Sequence, residues 1–156
     1  MTSLNATVTS GLITRFSTLA SRVRELAAPL SEDQFWQKPF PFGNSFGHLV
    51  LHLTGNLNYY IGAQIAASGY VRDRNREFTD AQPPAKEEAL TRFDAAVARV
   101  LEELRAQSED DWAKPYTAKG LEDAGNRYNA VLNCLTHLHH HIGQMMYLNF
   151  EFIRKK

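Results

Sequence analysis

What this chain has little of narrows it first. A single cysteine in 156 residues excludes an intramolecular disulfide and leads us to expect a reducing compartment. Neither charge is in excess: Lys+Arg and Asp+Glu both number 17, which argues against a nucleic-acid binder working through bulk electrostatics. "VRDRN" and the C-terminal "RKK" are the only basic clusters, and both read as solvated surface or a chain end. No apolar run approaches the roughly 20 residues needed to span a bilayer. No basic segment precedes an apolar one in "MTSLNATVTSGLITRF", so a signal peptide is not expected either. The expectation is a cytoplasmic protein with neither membrane nor nucleic acid as a partner. Also missing are strand-like alternation, internal repeats and low-complexity tracts. What remains, 44% apolar and 22% charged residues, suits one globular domain over residues 1–156.

Helical periodicity fills that domain. From about Leu4 to Ala28, apolar residues recur at Leu12, Ile13, Phe16, Leu19, Ala20, Val23 and Leu26. Pro29 stops the pattern. Ser31 ahead of Asp33 and Gln34 can cap a short helical turn, which Pro39 and Pro41 would end. Asn44 or Ser45 is the N-cap candidate for a second long helix reaching towards Ala67. A third runs from about Lys86 to Gln107, with Leu90, Phe93, Ala96, Val97, Val100, Leu101 and Leu104 on one face. A fourth runs from about Arg127 to Phe152. "RDRNREFTDAQPPAK" and "SEDDWAKPYTAKGLEDAGN" read as long connections. The expected fold is all-α, a four-helix bundle, with the path through the long connectors left open.

Four histidines fall within five positions of "THLHHHIGQ", Thr136 to Gln144. The cluster is internal and interrupted, so it is not an expression tag. A helix turns about 100° per residue, so residues four apart share a face. His137 and His141 therefore point together, His139 points away, and His140 lies on the flank. The second long helix repeats the spacing with His48 and His52. Buried imidazoles need a proton, a partner or a metal on each nitrogen, and facing helices of a bundle are where metal sites are commonly built. The spacing leaves two readings open: a metal site, or histidines satisfied within the core and at the surface.

"NSFGHLVLHLTGNLNYYI" and "HLHHHIGQMMYL" together resemble the second-helix and last-helix patterns of the DinB/YfiT-like superfamily, and the resemblance spans the chain. It implies one divalent metal ion held by three histidines, at positions matching His52, His137 and His141. His48 then takes a supporting role or serves as an additional ligand, and Asn56 and Gln144 are candidates to orient the ligands. Three protein ligands leave an open coordination position, which distinguishes catalytic from structural sites. Some relatives are thiol-dependent S-transferases or isomerases, so the resemblance implies activation of a low-molecular-weight thiol or of water for transfer or hydrolysis. Nickel and zinc suit such ligands alike. Relatives often form dimers, so a homodimer is expected. The rivals are a metal-binding protein without catalysis and a dimeric interaction module.

The remaining residues carry a sharp and a bland reading each. Cys134, near the ligand face, is a redox residue or a buried small hydrophobe, the latter being the ordinary case. Tyr59, Tyr60 and Tyr147 are proton donors or core packing. Trp36 and "PFPF" are a lid over the histidine end or a hydrophobic plug. Arg72, Arg74 and Arg76 bind an anionic substrate or belong to a solvated loop. Gly143, inside a helix, implies close packing against a neighbour. No carboxylate lies on either histidine stripe within two turns, which weakens any account built on a glutamate base.

Overall fold

The computed structural model describes residues 3–154; Lys155 and Lys156 of the basic "RKK" end, and Met1 and Thr2 of the N-terminal segment, lie outside them. Four long helices dominate: α1 (Leu4–Ala27), α3 (Phe46–Leu57), α5 (Lys86–Ala106) and α7 (Arg127–Arg154). Between them lie α2 (Glu32–Trp36), α4 (Arg76–Thr79) and α6 (Glu109–Ala113). The helical bundle expected from periodicity is the fold. Its main packed pairs are α1 with α5, α5 with α3, α3 with α7, and α7 with α1. Going round the bundle, α1 and α3 therefore stand at opposite corners, so the segment between them crosses over.

Local chemistry explains the boundaries. Ser45 caps α3, its hydroxyl accepting from the His48 N–H. Ser31 and Gln34 form a reciprocal capping box that starts α2, the arrangement that Ser-x-x-Gln makes possible. A second box, Ser108 with Asp111, starts α6. The second long helix changes form before the expected end near Ala67. It is α-helical to Leu57 and then π-helical over Asn58–Ala63. Such widened turns occur often at functional sites.

The connectors are more ordered than their composition suggests. The polar stretch after Gly69 contains α4, and the stretch after Gln107 contains α6 and a two-residue antiparallel ladder pairing Pro115–Tyr116 with Gly125–Asn126. No strand was expected there, because two residues carry no readable alternation. One apolar core runs through the bundle, with Phe16, Phe35, Phe46 and Phe93 fully buried. Among the described residues, no helix is long and apolar enough to cross a membrane.

Candidate metal centre

α3 and α7 pack side by side and bring His52, His137 and His141 together; one nitrogen from each lies within 4.8 Å of the other two. The Nε2 of His137 is 3.1 Å from the Nε2 of His52 and 3.0 Å from the Nε2 of His141. His52 is buried, and the other two are half-buried.

The hydrogen-bond partners of the outer nitrogens assign the tautomers. His52 Nδ1 lies 2.8 Å from a carboxylate oxygen of Glu77, and His141 Nδ1 lies 2.7 Å from the Gln144 side-chain oxygen. Arg72 Nη2, which can only donate, also lies 3.3 Å from His52 Nδ1. The Glu77 oxygen is nearer, and the guanidinium has that carboxylate to donate to, so the hydrogen is assigned to His52 Nδ1. The Gln144 oxygen likewise accepts from His141 Nδ1. The Nε2 atoms of His52 and His141 are then bare lone pairs facing His137, which can donate to at most one of them. His137 Nδ1 is buried without a hydrogen-bond partner. Three imidazole nitrogens packed this closely, at least two of them unprotonated, form a poor hydrogen-bond network. As a ligand set they are good: with Zn–N near 2.0–2.1 Å, nitrogen pairs fall roughly 3.3–3.4 Å apart in a tetrahedral site, a few tenths of an ångström wider than the 3.1 and 3.0 Å found. The residues present could hold a metal ion.

Electrostatics agree. Burial, followed by the neighbouring His141 and His52, pushes the His137 pKa down to about 3. Burial also lowers that of His141, against the opposing pull of Gln144. Both are neutral imidazoles near pH 7, the protonation state that binds metal.

A cleft of about 920 Å³ opens beside His52 and His137. Its walls include Asn56, Tyr59 and Tyr60 from the end of α3 and the π-helical turn, and Arg72 and Arg74 from the connector before α4. Lys119 from the second connector and Cys134 from α7 also line it. Cys134 is buried, and burial pushes its thiol up to about 12; it behaves as the small hydrophobe. Tyr60 is buried and donates to the Lys119 carbonyl at 3.1 Å, while Tyr59 packs partly against the core. Asn56 is buried, and its Oδ1 has no hydrogen-bond partner.

Several residues stand away from the cluster. His48 belongs to the cap of α3: its Nδ1 is 2.7 Å from the Ser45 hydroxyl and its ring meets Trp36 edge-on. It does not join the three-histidine group. His139 and His140 are exposed, with His140 ring-to-ring against His141. Trp36 and Phe40 pack on the core and do not line the cleft, so they plug the bundle rather than cover the histidines. Tyr147, 76% exposed, is not core. Gly143 has nothing within 4 Å of where a Cβ would stand, so close packing does not explain it.

The largest revision concerns the connector before α5. Arg72 is neither solvated nor free for an anion, because its guanidinium grips Glu77 through Nε–Oε1 at 2.7 Å and Nη2–Oε2 at 3.0 Å. Side-chain exposure is 9% for Arg72 and 7% for Glu77. Arg76 pairs at the surface with Asp80, and Arg74 remains in the cleft wall. Glu77 was not foreseen, since it lies 25 residues from His52 on another element. One signal for it existed in Gly55: a Cβ there would run into the Glu77 carboxylate.

The model of the DinB superfamily, described as DinB_2, matches residues 15–145. The chain belongs to the DinB superfamily. A crystal structure of a conserved protein from Enterococcus faecalis has the same fold, with a TM-score of 0.75 over 92% of this chain and 95% of that one. Identity to it is 16%, so the likeness shows the fold alone. No curated protein matches the chain. Within this DinB-superfamily chain, the three-histidine cluster is a group that could hold a metal ion.

Proposed function

We propose that this chain is a divalent-metal protein of the DinB superfamily in which His52, His137 and His141 are the ligands. In this reading it is an enzyme that activates a small thiol or water for transfer or hydrolysis. What supports the reading is the convergence of three Nε2 atoms, two of which, on His52 and His141, have outer partners in Glu77 and Gln144 that turn lone pairs rather than hydrogens inward. Nickel and zinc both suit three imidazoles.

A divalent ion with protein ligands on one side only would lower the pKa of a thiol or water in its open position. The chain's own residues do the rest. The cleft meets two of the three histidines and is roomy enough for a low-molecular-weight thiol such as glutathione, mycothiol or bacillithiol. Arg74 and Lys119 stand in its walls against the one carboxylate of Asp73, Arg72 being neutralised by Glu77, which leaves an excess of positive charge for an acidic co-substrate. Cys134, held protonated by burial, is unsuited to act as nucleophile. Glu77 is unsuited to act as base, because both its oxygens are engaged behind His52 and it does not line the cleft.

The test is metal content of untagged, gently purified protein beside a His137→Ala/His141→Ala variant, followed by thiol-transfer assays on the loaded protein. We expect near one equivalent in the wild type and none in the variant. Failure of the wild type to take up any divalent ion would end the metal reading. Uptake without any rate enhancement would leave a metal-binding protein without catalysis.

A further inference from the structure

We propose that Glu77, delivered by α4 and held in orientation by Arg72, is a positioning residue that locks His52 in its Nδ1–H tautomer, so that its Nε2 lone pair is presented to the metal. This rests on the metal reading above.

Four observations converge. The first is reach: Glu77 Oε2 is 2.8 Å from His52 Nδ1, away from the cluster. It is nearer than Arg72 Nη2 at 3.3 Å, so the carboxylate and not the guanidinium sets the proton on that nitrogen. The second is orientation. Arg72 binds both carboxylate oxygens in a fork, a planar pairing that fixes direction as well as position. Arg72 is itself steadied, lying over the Tyr60 ring at 5.7 Å. The third is shape: α3 carries glycine at position 55, one turn beyond His52, where any side chain would occupy the space of the Glu77 carboxylate. Glycine inside a helix is disfavoured, and here it clears the passage. The fourth is packing, since Phe78, next to Glu77, sits against the His52 ring at 5.0 Å between centroids. α4 thus grips the imidazole by one edge and one face.

The three imidazoles are consequently unequal. His52 has an anionic brace, His141 has the neutral amide of Gln144, and His137 Nδ1 has none. A carboxylate behind an imidazole fixes ring and tautomer and makes the far nitrogen a better donor. His52 is therefore the preorganised member of the set. Because its brace comes from the connector, the connector and the metal site are held together at His52.

The experiment compares the wild type with Glu77→Gln and with the double variant Arg72→Met/Glu77→Gln. The double variant is included because the single change leaves a buried guanidinium facing an amide. Two quantities are read: zinc affinity by chelator competition, and the His52 tautomer from imidazole nitrogen NMR shifts in metal-free protein. We expect the wild type to show Nδ1–H at His52 before any metal is added. In both variants that preference should weaken and zinc affinity fall about 10- to 100-fold. If Glu77 served only to hold the fold, Glu77→Gln would lower the melting temperature while leaving tautomer and affinity unchanged, and the inference would be overturned. A wild-type His52 protonated on Nε2 would overturn it as well. Wild type that binds no zinc at all overturns the metal reading and this inference with it. Loss confined to the variants' affinity, with normal zinc uptake by the wild type, bears on Glu77 alone.

Discussion

The buried residues of α1 and α5 are all apolar, among them Phe16, Leu19, Val23, Phe93, Val97 and Leu104. Among the described residues, the Thr9 hydroxyl is the one polar side-chain atom of the two helices buried without a hydrogen-bond partner. α3 and α7 bury His52, Thr54, Asn56 and Asn149 among their Leu, Val and Ile. One side of the bundle is thus ordinary core, while the other spends buried volume on polar groups. Each of those groups must be satisfied or cost free energy. Asn149 meets this by donating to the Leu26 carbonyl at 2.8 Å, and Thr54 by bonding back to Val50. Asn56 Oδ1 finds no partner, and the histidines do not either, since their inner nitrogens face one another. The difference teaches that packing on the first side supports a cluster on the second that is not justified by stability.

The comparison breaks most completely at the histidines. His137→Ala/His141→Ala should abolish metal binding while leaving metal-free stability nearly unchanged, because α7 keeps Leu138, Ile142 and Met145 in the core. Isothermal titration with zinc and urea unfolding of the same samples check both halves. A large loss of metal-free stability would show that the imidazoles are structural. The converse substitution lies on α5. Phe93 is fully buried, and Phe93→Ala should cost about 3–5 kcal/mol through lost burial and a residual cavity. Zinc affinity measured on the folded fraction should hardly move.

How much of this was readable beforehand follows the same division. The four long helices and the pairing of His137 with His141 rest on local periodicity, which a single sequence displays. His52 came through resemblance, and no spacing rule separated it from His48. The structure separates them by the Ser45 cap, whose hydroxyl serves both the N–H and the ring of His48. Glu77 and Arg72 were hidden because "RDRNREFTDAQPPAK" has the composition of a solvated loop. Their burial is a tertiary fact with no periodic signature. The π-helical turn was hidden too, since Asn58–Ala63 continues the α3 pattern without a break.

Gly55 links the two kinds of information and supplies a sharper test. Gly55→Ala would raise helix propensity on α3 but place a methyl where the Glu77 carboxylate sits. The neighbour is a buried ion pair and not a free side-chain end, so overpacking should win, at about 1–3 kcal/mol. Thermal unfolding reads the sign. An alanine that stabilises would mean the carboxylate can withdraw without loss.

Acid should act on the α3–α7 side before the other. In an unfolded chain a histidine takes up its proton near pH 6.5, whereas burial holds folded His137 neutral down to about 3 and lowers His141 in the same direction. Below pH 6.5 the unfolded state therefore binds more protons, and stability falls as pH drops from 6.5 towards 3. Metal-free urea midpoints at pH 7.5 and pH 4.5 should differ, and His137→Leu should narrow the gap. An unchanged gap in that variant would mean that carboxylates elsewhere carry the acid sensitivity.

The smallest expected effect tests the outer surface of α7. Gly143 sits in the interior of a 28-residue helix, exposed, with open space where a Cβ would stand and no positive φ to require glycine. Within this chain, then, glycine brings only its entropic cost, and Gly143→Ala should stabilise by about 0.5–1 kcal/mol. Metal affinity should be unchanged, because residue 143 faces solvent rather than the cleft. Calorimetry gives the first value and zinc titration the second. The informative failure is an alanine that destabilises or changes the sedimentation behaviour. A methyl group meeting open space cannot do either by itself, so that result would mean another molecule approaches α7 closely at Gly143 in solution, beside the helix turn that carries His141.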